Sequence, residues 1–260
     1  MYLLSNNVII KYPKGEFKKI IVFIAMKKII IIIISLLLSG CSLTPVPKNI
    51  EQLHRKAKEK VNLIQPLLKQ GDIVFRLSST QLLGGLVDFS KTIAEATESD
   101  FSHAVMVSNV FDDGAIVADI TNTGIARRYL IDWYMDGPTT NVVVKRLKLE
   151  YQSFLPAIIK NLKQKIDEDV LYDTKFNSTD NKYYCTELVD ECFTKANCQL
   201  ADRIKIKDFP KYNLVFVIGC FIGGIDVNSE VVVVGNNKIG LFSSKKLESV
   251  IDLRNQGIWP

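Results

Sequence analysis

The chain of 260 residues reads as an α+β protein, and three observations carry that assignment. Short apolar-alternating runs bounded by turn residues recur through its middle, at 101–110, 115–120 and 141–147. Two longer segments, 150–167 and 185–196, instead place apolar residues at helical spacing. The strands are framed by a few helices and do not alternate with them regularly, which is the pattern of α+β architecture.

At the N-terminus, Met26-Lys27-Lys28 precedes an apolar run over 29–38 and then Ser39-Gly40-Cys41. A basic stretch, a short apolar stretch and small residues before a cleavage point make a secretory signal. The run is too short to cross a hydrocarbon core of ~30 Å as a helix. Joining it to the apolar patch at 20–25 gives a spanning helix only with Lys27 and Lys28 mid-membrane, at ~2.5–3.5 kcal/mol each. Residues before Met26 therefore read as an over-extended start. Leu38-Ser39-Gly40-Cys41 resembles a bacterial lipobox, which implies that Cys41 is lipidated and becomes the first mature residue. The expected location is the bacterial cell envelope, with the membrane as a partner through that anchor. Ser42 after the cysteine, rather than Asp, implies by the same resemblance an outer-membrane protein facing the periplasm in a Gram-negative cell. The expected organisation is a signal region over 1–40, a tether with Pro45 and Pro47 over 41–48, and a single domain over 49–260.

The formal charge of +5 belongs to the leader. Residues 1–40 hold six lysines and one glutamate, and the remainder carries 27 basic and 27 acidic side chains. Nothing in that balance suggests a nucleic-acid surface. About 220 remaining residues can bury a sizeable core in one domain.

The elements follow in order. Residues 49–70 are helical by pattern, with Leu53, Ala57, Val61, Ile64 and Leu68 on one stripe. His54 lies beside that stripe, between charges, and reads as a surface residue. Gly71-Asp72 opens a strand at 73–76. Residues 78–98 read as a loop plus a helix bordering the site. The strand at 101–110 carries His103. Asp112-Asp113-Gly114 is a turn, and 115–120 is the second arm of a hairpin. A third short strand is expected at 123–129, a helical turn at 130–135 and a strand at 141–147. Helices follow at 150–167 and 185–196, the second with Cys185, Leu188, Val189, Cys192, Phe193 and Ala196 on its buried face. The runs 215–221 and 231–234 read as strands.

Beyond Cys41 the cysteines are Cys185, Cys192, Cys198 and Cys220. Cys185 and Cys192 lie seven apart on one helix, ~10 Å along it, too far for a disulfide. Cys198 with Cys220, or Cys192 with Cys198, stays geometrically open. With no tight cysteine pair, and His103 distant in sequence, no metal site and no cofactor is expected.

Cys185 and His103 are the candidate reactive pair. Cys185 is the first residue of its helix, where partial positive charge and free N–H groups lower a thiol pKa and can hold an oxyanion. His103 is one of two histidines in the chain. Asp119 ends the strand after that of His103, and across an antiparallel ladder it can neighbour the imidazole and fix its tautomer. The order His, Asp, Cys is a circular permutation of the papain order.

Five blocks carry a resemblance: Gly71-Asp72-Ile73-Val74-Phe75, Phe101-Ser102-His103, Val117-Ala118-Asp119, Val142-Val143-Val144-Lys145-Arg146 and Tyr183-Tyr184-Cys185-Thr186-Glu187-Leu188-Val189. Over 71–196 the chain resembles the circularly permuted, NlpC-type papain-like cysteine hydrolases, and among them the YiiX/YaeF lipoprotein group. That resemblance implies a small antiparallel sheet or barrel packed against helices. It implies Cys185 as nucleophile, His103 as base and Asp119 as orienting acid, where the group usually carries Glu. Tyr184 precedes the nucleophile as in the group and is expected to line or gate the pocket. Glu187 and Asp72 read as structural. The expected function is an envelope-anchored cysteine hydrolase that cleaves an amide bond through a thioester, with a cell-wall peptide or an N-acyl or lipid amide as substrate. A lipid acyltransferase on the same fold and a non-catalytic ligand-binding lipoprotein are the alternatives.

Overall fold

A six-stranded antiparallel sheet organises the chain from residue 73 onward. The computed structural model describes residues 2–5, 8–11, 50–77, 81–82, 87–121, 123–135, 141–168, 170–177 and 180–254. The expected signal run, Cys41 and the tether lie outside the described residues. The chain divides into two compact units, Met1–Val46 and Pro47–Pro260. In the first, β1 (Tyr2–Ser5) pairs antiparallel with β2 (Val8–Lys11).

In the second unit, α1 (Ile50–Ile64) runs into a 3-10 turn at Gln65–Leu67, where Pro66 cannot continue the helical hydrogen bonding. The sheet comprises β3 (Ile73–Arg76), β6 (His103–Phe111), β7 (Gly114–Thr121), β8 (Gly124–Tyr129), β9 (Val142–Leu147) and β12 (Leu247–Asp252). The spatial order is β12-β9-β3-β6-β7-β8. Between β3 and β6 lie a two-residue ladder, β4 (Gln81–Leu82) with β5 (Val87–Asp88), and α2 (Phe89–Ala96). The short α3 (Leu130–Met135) links β8 to β9.

Both faces of the sheet are covered. On one face Ile73, Phe75, Ala104, Met106, Ala118 and Val143 pack against α4 (Leu155–Asp167) and α5 (Cys185–Thr194). On the other, Val74, Val105, Val107 and Val117 pack against α1 and Trp133 of α3. Burial on both sides explains why these strands read as nearly continuous apolar runs.

The Gly71-Asp72 block is structural, as expected. Gly71 has φ +87°, and a Cβ there would run into the Leu155 side chain. The buried Asp72 accepts two 2.7 Å hydrogen bonds from the Arg146 guanidinium and one of 2.8 Å from the Lys69 amide. The pair ties the entry of β3 to the C-terminal end of β9.

One irregularity in β6 matters for the site. Near the turn, Phe111 pairs with Gly114 and Asn109 with Ile116; beyond it, Val107 pairs with Val117 and Met106 with Ala118. Ser108 is the extra residue of a β-bulge, held by its hydroxyl donating to the Ile116 carbonyl at 3.1 Å and by Gln70 on its own carbonyl at 2.6 Å. A one-residue shift moves every later side chain to the opposite face. Continued without the bulge, the register would place Asp119 on the face of the even-numbered β6 residues and His103 on the other. With it, both fall on one face as diagonal neighbours.

Two segments depart from the sequence reading. Residues 215–221, expected as a strand, lie in α6 (Leu214–Gly223). Asn213 caps its start by accepting the Phe216 N–H at 2.9 Å, and Gly224 ends it in the left-handed region at φ +64°. Of 231–234, only Val231 is in a strand, within the pair β10 (Ile204–Lys205) and β11 (Glu230–Val231). Val232 to Val234 are buried in irregular chain. The edge strand β12 has no alternating apolar pattern and was not expected. Cys185, Cys192, Cys198 and Cys220 are all free thiols, so neither open disulfide pairing forms.

Candidate active site

The imidazole of His103 stands between an acid and a thiol. His103 opens β6, and its Nε2 lies 2.8 Å from Asp119 Oδ1. That leaves Nδ1 for Cys185, with which the ring shares a hydrogen bond. Cys185 is the first residue of α5 and is partly exposed. The residue before it, Tyr184, is extended and supplies no capping side chain to the helix. The first-turn amides of α5 therefore receive no side-chain cap from Tyr184, and free amides at a helix start are the donors an oxyanion needs. The approach to the helix is fixed by the buried Asp173, whose carboxylate accepts the Lys175 and Asn177 amides, and by backbone hydrogen bonds from Asp173 to Tyr183 and from Tyr183 to Leu171.

Asp119 is itself held. Trp133 Nε1–H donates to its other oxygen at 3.1 Å. The Trp133 ring stacks beside the imidazole, centroids 5.9 Å apart. Arg76, opposite His103 in the β3–β6 ladder, places its guanidinium 3.9 Å from the Trp133 centroid and donates to the Trp133 carbonyl. Sequence reading missed both residues. The signals were an arginine ending an otherwise apolar strand, and a tryptophan in a six-residue helical turn.

The electrostatics follow from this packing. Burial works against the imidazolium, but Asp119 and the Cys185 thiolate outweigh it and raise the His103 pKa to about 10. Burial also opposes ionisation of Cys185; His103 and the Ala104 N–H more than offset it and bring the thiol below its usual range. Burial opposes ionisation of Asp119 as well, yet His103, Arg76 and Arg128 hold it below the ordinary carboxylate range. All three shifts run toward the charged forms, the direction that favours a thiolate–imidazolium pair braced by a carboxylate.

Tyr184 lies in the wall of the adjoining cavity. It is anchored there, with the Val232 N–H donating to its hydroxyl at 2.9 Å and its ring 4.9 Å from that of Phe176. These contacts describe a fixed wall rather than a gate. Glu187, one turn into α5, faces away from this chemistry and pairs with Arg203 at 3.3 Å. Among the described residues, no three or more His, Cys, Asp or Glu side chains are arranged to hold a metal ion.

Comparison with curated proteins gives no match. Among solved structures, the chain is similar to the crystal structure of the metalloprotein YiiX from Escherichia coli O157:H7, with 23% identity over 71% of this chain and 97% of that one, at a TM-score of 0.55. At that identity the likeness speaks for the fold, which is the permuted papain-like arrangement of an antiparallel sheet packed against helices. The model of one family, described as permuted papain-like amidases of the YaeF/YiiX type, matches residues 67–213, more than half of the chain and the span that carries Asp119, His103 and Cys185. This chain belongs to that family, the C92 permuted papain-like amidases, and is a cysteine hydrolase of the amidase type.

Proposed function

We propose that Cys185, His103 and Asp119 form the catalytic triad of an envelope-anchored amidase that works through a thioester. The observation that carries this reading is the shared imidazole, with Asp119 on Nε2 and the thiol left to Nδ1. The Cys185 sulfur attacks the amide carbonyl, and main-chain amides at the start of α5 receive the oxyanion. As the C–N bond breaks, His103 gives its Nδ1 proton to the leaving nitrogen. A water then attacks the thioester and passes one proton to His103, the acid departs, and the thiolate–imidazolium pair is restored. Asp119 keeps the ring oriented and the imidazolium stable throughout. Envelope anchoring rests on the lipobox-like sequence at Cys41, and it points to cell-wall peptides or N-acyl amides as the available substrates.

YiiX is titled a metalloprotein. The donors described in this chain do not assemble a metal site, and each step above uses the chain's own residues.

The test is incubation of wild type and Cys185→Ala with envelope peptides and acyl-amides, followed by mass spectrometry. The expected result is a product made by the wild type alone and an acyl adduct of Cys185 trapped on acid quench. A product formed equally by the variant would remove the mechanism. The apolar cavity beside the thiol favours one second reading, transfer of the acyl group to an amine or alcohol instead of water. Product analysis with and without an added acceptor separates the two.

A further inference from the structure

A cavity of about 370 Å³ opens beside the reactive pair, with His103, Cys185 and Thr186 in its lining. That is within the ~300–1,000 Å³ range of small-molecule sites. Ser90, Ser102, Thr121 and Tyr172 add polar groups, but most of the lining is apolar, including Ile93 of α2, Phe209, and Phe216 and Cys220 of α6. Among the described residues, no Asp, Glu, Lys or Arg lines it. Beyond the His103–Cys185 pair, a peptide bearing carboxylates and ammonium groups would find no counter-charge there, and desolvating such groups unpaired is costly. An aliphatic chain meets no such penalty and gains from every methylene buried.

The C-terminal part of the wall is tied down. It is formed by α6, Ile225 and Val231 to Val234, all beyond the residues 67–213 that the family model matches. Asn213 fixes the start of α6, and Lys175 Nζ donates to the Gly223 carbonyl at 2.6 Å at its end. The Tyr184 hydroxyl accepts the Val232 amide, and the Thr186 hydroxyl donates to the Val232 carbonyl at 2.6 Å. The residues flanking Cys185 are therefore tied directly to the cavity wall, so the cavity and the sulfur are held in one frame.

We infer that this cavity is the acyl-chain site: the group that becomes the Cys185 thioester is an unbranched aliphatic acyl chain, and the C-terminal segment from residue 214 sets the length it takes. The inference rests on the thioester reading above and narrows its substrate to N-acyl amides with an uncharged acyl side. The leaving amine then departs from the polar end, past His103.

The experiment is acylation by p-nitrophenyl esters of straight-chain acids from acetyl to dodecanoyl, followed by p-nitrophenol release and intact mass. Burial of a methylene corresponds to about a fourfold gain per carbon. The second-order rate constant is expected to climb at about that rate from the acetyl ester upward until the cavity is full, and then to level off, with the adduct on Cys185. Cys220→Phe, which adds bulk to the α6 wall, is expected to lower the octanoyl-to-acetyl rate ratio at least tenfold. Because the ratio is taken within one variant, loss of folded protein does not mimic it. Phe216→Ala, which removes bulk from the same wall, is expected to move the levelling point to longer chains. A profile flat in chain length, with Cys185 acylated throughout, overturns the acyl-site inference and leaves the thioester mechanism standing. No adduct on Cys185 with any ester overturns both.

Discussion

Cys185 and Cys192 sit seven residues apart on one helix, in one chemical environment by sequence, and are opposite in behaviour. Cys192 is fully buried in the core between α4 and α5, and burial pushes its thiol up to about 12. Cys185 also loses hydration, but His103 and the Ala104 amide reverse the outcome and lower its pKa. Burial alone makes a cysteine inert; a convergent cation and main-chain donor make it a nucleophile. Glu187 on the same helix is a third case. Burial opposes its charge, a single partner, Arg203, does not compensate, and its pKa is raised to about 7. What separates Cys185 from its neighbours is the number of groups aimed at it.

The largest effect expected from breaking this contrast comes from His103→Ala. Without the imidazolium the Cys185 thiol should titrate at or above the ordinary ~8.5, and alkylation by iodoacetamide at pH 6 should fall about 100-fold or more. Amide turnover should fall by about 10³-fold or more. Peptide mapping of the alkylated protein supplies its own control, since Cys192 should stay unlabelled in both proteins. Preferential labelling of Cys192 in the wild type would undo the comparison.

Asp119→Asn sharpens it at the base. Asp119 raises the His103 pKa, so its removal moves the imidazolium's loss to lower pH. In the wild type the alkaline limb of kcat/KM is expected near pH 10 and the acid limb below the usual thiol range, where Cys185 ionises. In the variant the alkaline limb should retreat by more than one unit and the plateau rate should fall about 10²- to 10⁴-fold. An unmoved alkaline limb would mean that Asp119 orients nothing.

The smallest effect concerns stability. Glu187 is expected to hold its proton more tightly folded, near pH 7, than unfolded, near 4.5. Its favourable contribution is then present in full below about pH 4.5 and is lost as pH rises through 7. Glu187→Gln should flatten the fall in Tm between pH 5 and 8 by a few degrees, an effect of at most about 3 kcal/mol. A slope unchanged by the substitution would show that Arg203 already neutralises the site.

The elements that place the site were legible because their signals are local. The Asp112-Asp113-Gly114 turn, the alternation around it and the helical spacing after Cys185 each rest on neighbouring residues. The α6 segment misled because an apolar run rich in Val and Phe has no period to separate a buried helix from a strand. Its boundaries, Asn213 before it and Gly223-Gly224 at its end, were the better guide, since caps satisfy backbone groups that side-chain composition cannot. The edge strand β12 was invisible because a register shift between Ser249 and Ile251 breaks its alternation, leaving no apolar face to read. Trp133 and Arg76 join the site only through pairing across three strands, and no short window of sequence contains that information. The cavity wall was hidden for the same reason, built from segments that meet only after the sheet closes.

The bulge at Ser108 makes the hairpin a counting device. Its turn at Asp112 to Gly114 can vary, since the chemistry lies at the other end. Removing one residue between that turn and His103 would instead leave composition, charge and hydrophobicity almost untouched while parting the acid from the base. Homologues and engineered versions of this enzyme should therefore tolerate length changes in that arm by twos, and a single-residue indel there is a quiet route to a folded protein with no activity.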